Sequence, residues 1–159
     1  MRNKAWRRTV PALLAFSFAF TSMMLGADML TGTWELNIGK SKPEPGFTHT
    51  RITLTIEQIG PKTTRWTFDH LTKDKENRRV ESVFTFDGQE RPIQINGANF
   101  MVTAGEPDAS TRTVLYKKDG RVSQESTWKL SSDGKVLTLT ATHRPEGKQA
   151  YDTVFVYEK

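Results

Sequence analysis

The chain has 159 residues, 23 of them basic and 18 acidic, a formal net charge of +5 and no cysteine. The missing cysteine excludes structural disulfides, thiolate zinc sites and cysteine nucleophiles. Four of the basic residues and none of the acidic ones precede Asp28, so the chain from Asp28 onward carries 19 basic against 18 acidic residues, a net charge of +1, and has no basic balance that would call for nucleic acid.

The first predicted element is a signal peptide. Arg2, Lys4, Arg7 and Arg8 form a positive head, and no residue from Thr9 to Leu25 is charged. Leu13, Leu14, Phe16, Phe18, Phe20, Met23 and Met24 dominate that run, and Leu25-Gly26-Ala27 gives it a small-residue end. This layout predicts cleavage before Asp28, with residues 1–27 removed and the product exported to the periplasm or secreted. The rival reading is a retained membrane anchor. The apolar run is short for a span and carries Pro11, so no stable membrane span is expected after cleavage. Residues 28–159 remain, about 130 in number, enough for one domain with one core.

From Asp28 the pattern is period two nearly throughout. The stretch LTGTWELN, Leu30 to Asn37, opens a strand over 31–38. A loop follows, because Pro43, Pro45 and Gly46 oppose a helical turn there. In a strand over 50–58, Ile52, Leu54 and Ile56 alternate with Arg51, Thr53, Thr55 and Glu57, the mark of a half-buried strand. The strand over 63–70 sets Trp66 and Phe68 on one face. Lys73, Lys75, Arg78 and Arg79 come next, but Asp74, Glu76 and Glu81 interleave them, which describes a solvated hairpin and not a phosphate-binding stripe. The strand over 78–86 groups Val80, Ser82, Phe84 and Phe86.

Further strands are predicted over 91–95, 99–104, 111–118, 121–130, 135–143 and 150–158. The ninth sets Leu137, Leu139 and Ala141 opposite Val136, Thr138 and Thr140. The tenth places Tyr151, Thr153, Phe155 and Tyr157 on one face and Val154 and Val156 on the other, so it is apolar on both sides. Asp87-Gly88, Asp119-Gly120 and Asp133-Gly134 separate alternating runs and supply the positive φ that tight hairpins need. Short hairpins make most neighbours antiparallel. The predicted fold is all-β, an antiparallel up-and-down meander closed as a lipocalin-like barrel of about 8–10 strands, with a two-sheet sandwich as the other solution.

Gly32-Thr33-Trp34, at the start of the first strand, resembles the first signature of the lipocalin-like (calycin) barrels. GTWELNIGKSKPEPG, the repeated Asp-Gly turns and the closing VFVYEK resemble a group of small secreted bacterial lipocalin-like proteins with no established activity. The resemblance implies that Trp34 closes one end of the barrel under a basic side chain. The second signature, Thr-Asp-Tyr, is not found. Closure brings the end of the last strand beside the start of the first, so Lys159 is expected near Trp34, with Arg144 the second choice. Gly32, Trp34 and Lys159 are therefore the expected barrel-closing residues. A lysine over an exposed indole contributes about 0.5–1 kcal/mol.

Little in the chain points to catalysis. There is no G-x-S-x-G elbow, no HExxH, and no Walker or dinucleotide glycine motif. His49, His70 and His143 read as three ordinary polar strand ends. Asp69 and His70 are neighbours, so they point to opposite faces of a strand and form no orienting pair. No catalytic residue, metal or cofactor is expected, and the chain is not read as an enzyme. The expected function is binding of a small hydrophobic or amphipathic molecule inside the barrel of a monomer. The candidate ligand-binding residues are Trp66, Phe68, Phe84, Phe86, Tyr116, Trp128, Phe155 and Tyr157. A filled-core structural or interaction protein of the cell envelope is the alternative, and a small barrel enzyme with His70 or His143 beside a carboxylate is third. An interior of several hundred Å³ favours the binder.

Overall fold

Alternation along the chain becomes alternation of burial in the computed structural model, which describes residues 28–159. The expected signal peptide over residues 1–27 lies outside the described residues. Ten strands follow in order: β1 (Gly32–Leu36), β2 (His49–Gly60), β3 (Thr63–Thr72), β4 (Asn77–Thr85), β5 (Glu90–Ile95), β6 (Ala98–Asp108), β7 (Thr111–Lys118), β8 (Arg121–Leu130), β9 (Val136–His143) and β10 (Tyr151–Glu158). Ile52, Leu54 and Ile56 of β2 face inward, as do Trp66 of β3, Phe84 of β4, and Leu137, Leu139 and Ala141 of β9. Gly88, Gly120 and Gly134 of the three Asp-Gly turns have φ of 77°, 75° and 70°, a conformation that disfavours a side chain.

The strands form one antiparallel sheet in the order β4-β3-β2-β1-β10-β9-β8-β7-β6-β5. Pairing of β1 with β10, Leu36 opposite Tyr157, joins the two halves of the meander and curls it into a barrel. β4 and β5 are the two ends of the sheet and share no ladder, so the barrel is nearly, not fully, closed. β5 carries Pro92, which has no N–H to give to a further neighbour and suits an edge. The connection between β4 and β5 is tied to both flanks instead: the Phe86 N–H donates to the Lys62 carbonyl and the Gly88 N–H to that of Ala104.

β1 is short, and the segment after it takes over its pairing. The Asn37 N–H donates to the Val156 carbonyl, and Lys42 bridges Val154. A 3-10 turn over Ile38–Lys40, capped by the Asn37 side chain, lies between these contacts. The rest of the loop then carries Phe47 back over the barrel end.

The two ends of the barrel differ. At one end Leu30, Trp34 and Leu137 are wholly buried, and the Trp34 indole donates to the Leu30 carbonyl at 2.9 Å. Arg112, only 3 % exposed, reaches Asp28 at 2.9 Å and Glu106 at 3.1 Å. Its guanidinium also lies 5.4 Å from the Phe86 ring centroid. Inward from there Trp66 packs edge-on to Trp128 at 4.7 Å and to Phe84 at 5.7 Å. Each such buried aromatic contributes about 1.5–3 kcal/mol from burial alone. This half of the barrel is filled.

Candidate ligand-binding site

The other half is not filled. A cavity of about 360 Å³ opens at the end of the barrel where β2, β4, β8 and β10 begin and β3 and β9 finish. Its floor is apolar, formed by Ile52, Phe68, Leu139, Ala141, Phe155 and Tyr157. Its rim is polar, with His49, His70, Arg78, Gln124, His143 and Tyr151 among the lining residues. Phe47 spans part of the mouth, 5.7 Å from Phe155 on one side and 5.0 Å from His49 on the other, measured between ring centroids.

The rim is built by local strand geometry. His70 lies opposite Ile52 and shares its inward face. His49 would point outward in an unbroken strand, three residues before Ile52. A register shift between His49 and Arg51 adds one residue and turns His49 inward. The two imidazoles then stand 4.8 Å apart. The Nδ1 atoms of both are buried and have no hydrogen-bond partner among the described residues. Arg78 pairs with His70 across β4 and β3 and continues the row.

Across the mouth, His143 Nε2 lies 3.0 Å from the Thr153 hydroxyl, and its ring stacks on Tyr151 at 4.8 Å. Burial holds the His143 imidazole below its ordinary pKa, against the opposing pull of Glu44 and Asp152. His70 is also held down, first by burial and then by His49 and Arg78, with Asp69 acting the other way. Asp69 itself faces outward and accepts two hydrogen bonds from Arg79. Burial pushes the phenols of Tyr116 and Tyr157 upward.

Of the aromatics singled out in the sequence, Phe68, Phe155 and Tyr157 line the cavity. Trp66, Phe84 and Phe86 lie in the filled half, and Trp128 stands between, 6.2 Å from Phe68 and 5.8 Å from Tyr157. Tyr116 packs edge-on to Phe84 at 6.5 Å and to Phe100 at 6.4 Å. At the closed end the Lys159 ammonium lies 4.5 Å from the Trp34 ring centroid. Arg144, the second choice for that contact, pairs with Glu125 instead. The three histidines, read as ordinary polar strand ends, all reach one cavity. Among the described residues no three His, Asp or Glu side chains stand close enough to hold a metal ion. No helix there is long and apolar enough to cross a membrane.

Known structures share this architecture. A fatty acid binding protein of Schistosoma mansoni, in complex with arachidonic acid, is 15% identical with a TM-score of 0.61, over 84% of this chain and 97% of that one. The zebrafish ileal bile acid-binding protein complexed with cholic acid is 17% identical with a TM-score of 0.58, over 82% and 98%. The SAHS protein of Ramazzottius varieornatus is 15% identical with a TM-score of 0.58, over 83% and 96%. The shared fold is the calycin-type, fatty-acid-binding-protein-like barrel. At these identities the likeness extends to the fold alone. No protein-family model and no curated protein matches the chain.

Proposed function

We propose that the protein binds a small hydrophobic or amphipathic molecule in the cavity at the open end of the barrel, without transforming it. The observation that carries this reading is the cavity itself: about 360 Å³, with an apolar floor and a few polar groups at its rim. That is the size and lining of small-molecule sites, which span about 300–1,000 Å³. Two proteins of the same fold hold arachidonic acid and cholic acid, which supports an amphipathic ligand here. Affinity comes from burial of ligand hydrocarbon at about 25 cal/mol per Å², less the cost of ordering. Thr153, Tyr151 and the rim histidines orient the polar end.

The layout of residues 1–27 supports export, and the proposal places the binder, as a monomer, in the periplasm or outside the cell. N-terminal sequencing of the product is expected to begin at Asp28.

Native mass spectrometry of protein taken from its own envelope fraction, before and after unfolding and refolding, tests binding. Extra mass that unfolding removes is the expected result. A bare mass in both samples, with no shift in melting temperature across a lipid panel, overturns the reading.

A further inference from the structure

Three basic side chains stand in one row at the mouth of the cavity, one from each of three consecutive strands. His49 comes from β2, His70 from β3 and Arg78 from β4. The row is not what simple alternation gives, because the bulge between His49 and Arg51 is needed to bring His49 inside. Bulges that re-aim a side chain are a feature of binding sites. His49 and His70 each bury an Nδ1 that has no partner among the described residues. Arg78 makes no ion pair among the described residues. Buried polar atoms without partners are costly, and a ligand group that bonds to them recovers that cost.

The floor below the row is hydrocarbon: Ile52, Phe68 and Phe155. A ligand that satisfies both parts has an apolar chain and one negative group. A cationic head would meet Arg78, which stands exposed at the mouth, and an anionic head gains the attraction of that guanidinium as well as the two imidazoles.

The other charged and titratable groups at the cavity are few. Glu44 faces it from the segment between β1 and β2, His143 from β9, and Tyr151 and the buried, neutral Tyr157 from β10. Asp69, next to His70 in the chain, lies on the outer face and is tied to Arg79. Glu44 is thus the one carboxylate lining the cavity among the described residues. Its charge pulls His143 upward and is not among the groups that shift His70.

We propose that His49, His70 and Arg78 form a proton-linked anion site that holds the carboxylate of a single-chain amphiphile, with the hydrocarbon tail in the cavity below. The proposal rests on the binding reading above and names the ligand class for it. In the unliganded protein burial, with His49 and Arg78 alongside, holds the His70 imidazole below its ordinary value and so neutral near pH 7. A carboxylate arriving beside it reverses that balance, because an opposite charge favours the imidazolium. A proton then passes from solvent to a ring nitrogen as the ligand binds. The complex tightens as the medium becomes acidic and loosens as it becomes alkaline.

The test compares dodecanoate with dodecanol by calorimetry on protein expressed from the full-length sequence, at about pH 6 and about pH 8, on either side of histidine titration. The expected result is a dodecanoate Kd about tenfold lower at the acid pH, with proton uptake seen as a heat that depends on the buffer, and dodecanol binding indifferent to pH. His70→Gln is expected to remove the proton uptake and the pH response of dodecanoate, and a cooperative melting transition like the parent's shows that the variant is folded. Dodecanoate and dodecanol binding alike at both pH values, with no proton uptake, overturns the anion site and leaves the binding reading standing. A full pH response in His70→Gln overturns it as well. If neither compound binds the parent protein at either pH, the anion site fails, and a bare mass in the native measurement above then overturns the binding reading as well.

Discussion

Lys159 holds its ammonium 4.5 Å from the ring centroid of Trp34, across the wholly buried end of the barrel. Gly32 lies beneath the lysine stem and holds a backbone conformation that favours glycine. A Cβ built on it would come within 3.3 Å of the lysine Cε, and its φ of +134° disfavours any side chain. The Gly-x-Trp stretch is therefore one device: the glycine supplies the backbone turn and the indole offers a face. Lys159→Ala is expected to lower unfolding free energy by about 0.5–2 kcal/mol, and Lys159→Arg to retain most of it. Gly32→Ala is expected to cost about 1–3 kcal/mol through its backbone. Urea titrations read both, and no change for either would remove the device.

Arg112 is the buried charge of the closed end, paired with Asp28 and Glu106. It also donates to the carbonyls of Asp108 and Thr111. Arg112→Ala strands the Asp28 carboxylate out of water and is expected to cost about 3–5 kcal/mol. Because the pair is shielded from solvent, added salt should hardly alter that loss. A small, strongly salt-dependent change in guanidinium chloride midpoint would show the pair to be open to water.

Thr64 and Trp66 test the filled half. The Trp66 indole N–H donates to the Thr64 hydroxyl at 2.6 Å, and both side chains are buried. Thr64→Val keeps the shape and leaves the N–H without an acceptor, for an expected loss of about 1–3 kcal/mol. Thr64→Ser should recover most of it in the same melting experiment.

Ala141 lies in the floor of the cavity. Ala141→Leu adds three carbons to that space. Where such volume is free the change costs little, about 0–1 kcal/mol, whereas overpacking a full core costs about 1–3. We expect melting temperature to hold and dodecanol binding to fall at least about tenfold, the effect of losing about 1.4 kcal/mol. A variant that melts early and binds normally would mean the ligand lies elsewhere.

Acid should weaken the unliganded protein in two stages. His70 and His143 are held below the ordinary imidazole value, chiefly by burial. The unfolded chain therefore takes up protons first, and stability present above about pH 6.5 is lost as pH falls through that value. Asp69, Asp133 and Glu158 are held below the usual carboxylate range by hydrogen bonds from Arg79, Ser131 and Lys40 respectively, and add a second loss below about pH 4. His70→Gln should shrink the first stage to the share of His143 and leave the second. A melting temperature that rises between pH 7 and 5, both about the edges of histidine titration, would contradict the sign.

The strands and the inward faces were legible because burial writes period two into the chain, as Ile52-Thr53-Leu54-Thr55-Ile56 shows. The Asp-Gly pairs marked three turns for an equally local reason. The rim of the site was not legible. His49 lies at the wrong parity for the inward face, and nothing in Phe47-Thr48-His49-Thr50-Arg51 announces the bulge that corrects it. Arg78 read as one more charge in a solvated hairpin; it is indeed exposed, and only its pairing with His70 shows that it stands at the cavity mouth. The division of the aromatics was equally hidden. Alternation says that Trp66 and Phe68 share a face, but not that one fills the barrel and the other borders open space.

That division gives the protein a built-in optical readout. Trp128 stands one ring away from the cavity through Phe68 and Tyr157, while Trp34 is sealed beneath Lys159 at the opposite end. Occupancy of the cavity changes the surroundings of the first indole and leaves those of the second alone. The Trp66–Trp128 pair, with rings 4.7 Å apart, therefore carries the signal, and ligands can be screened by intrinsic emission without attaching a dye.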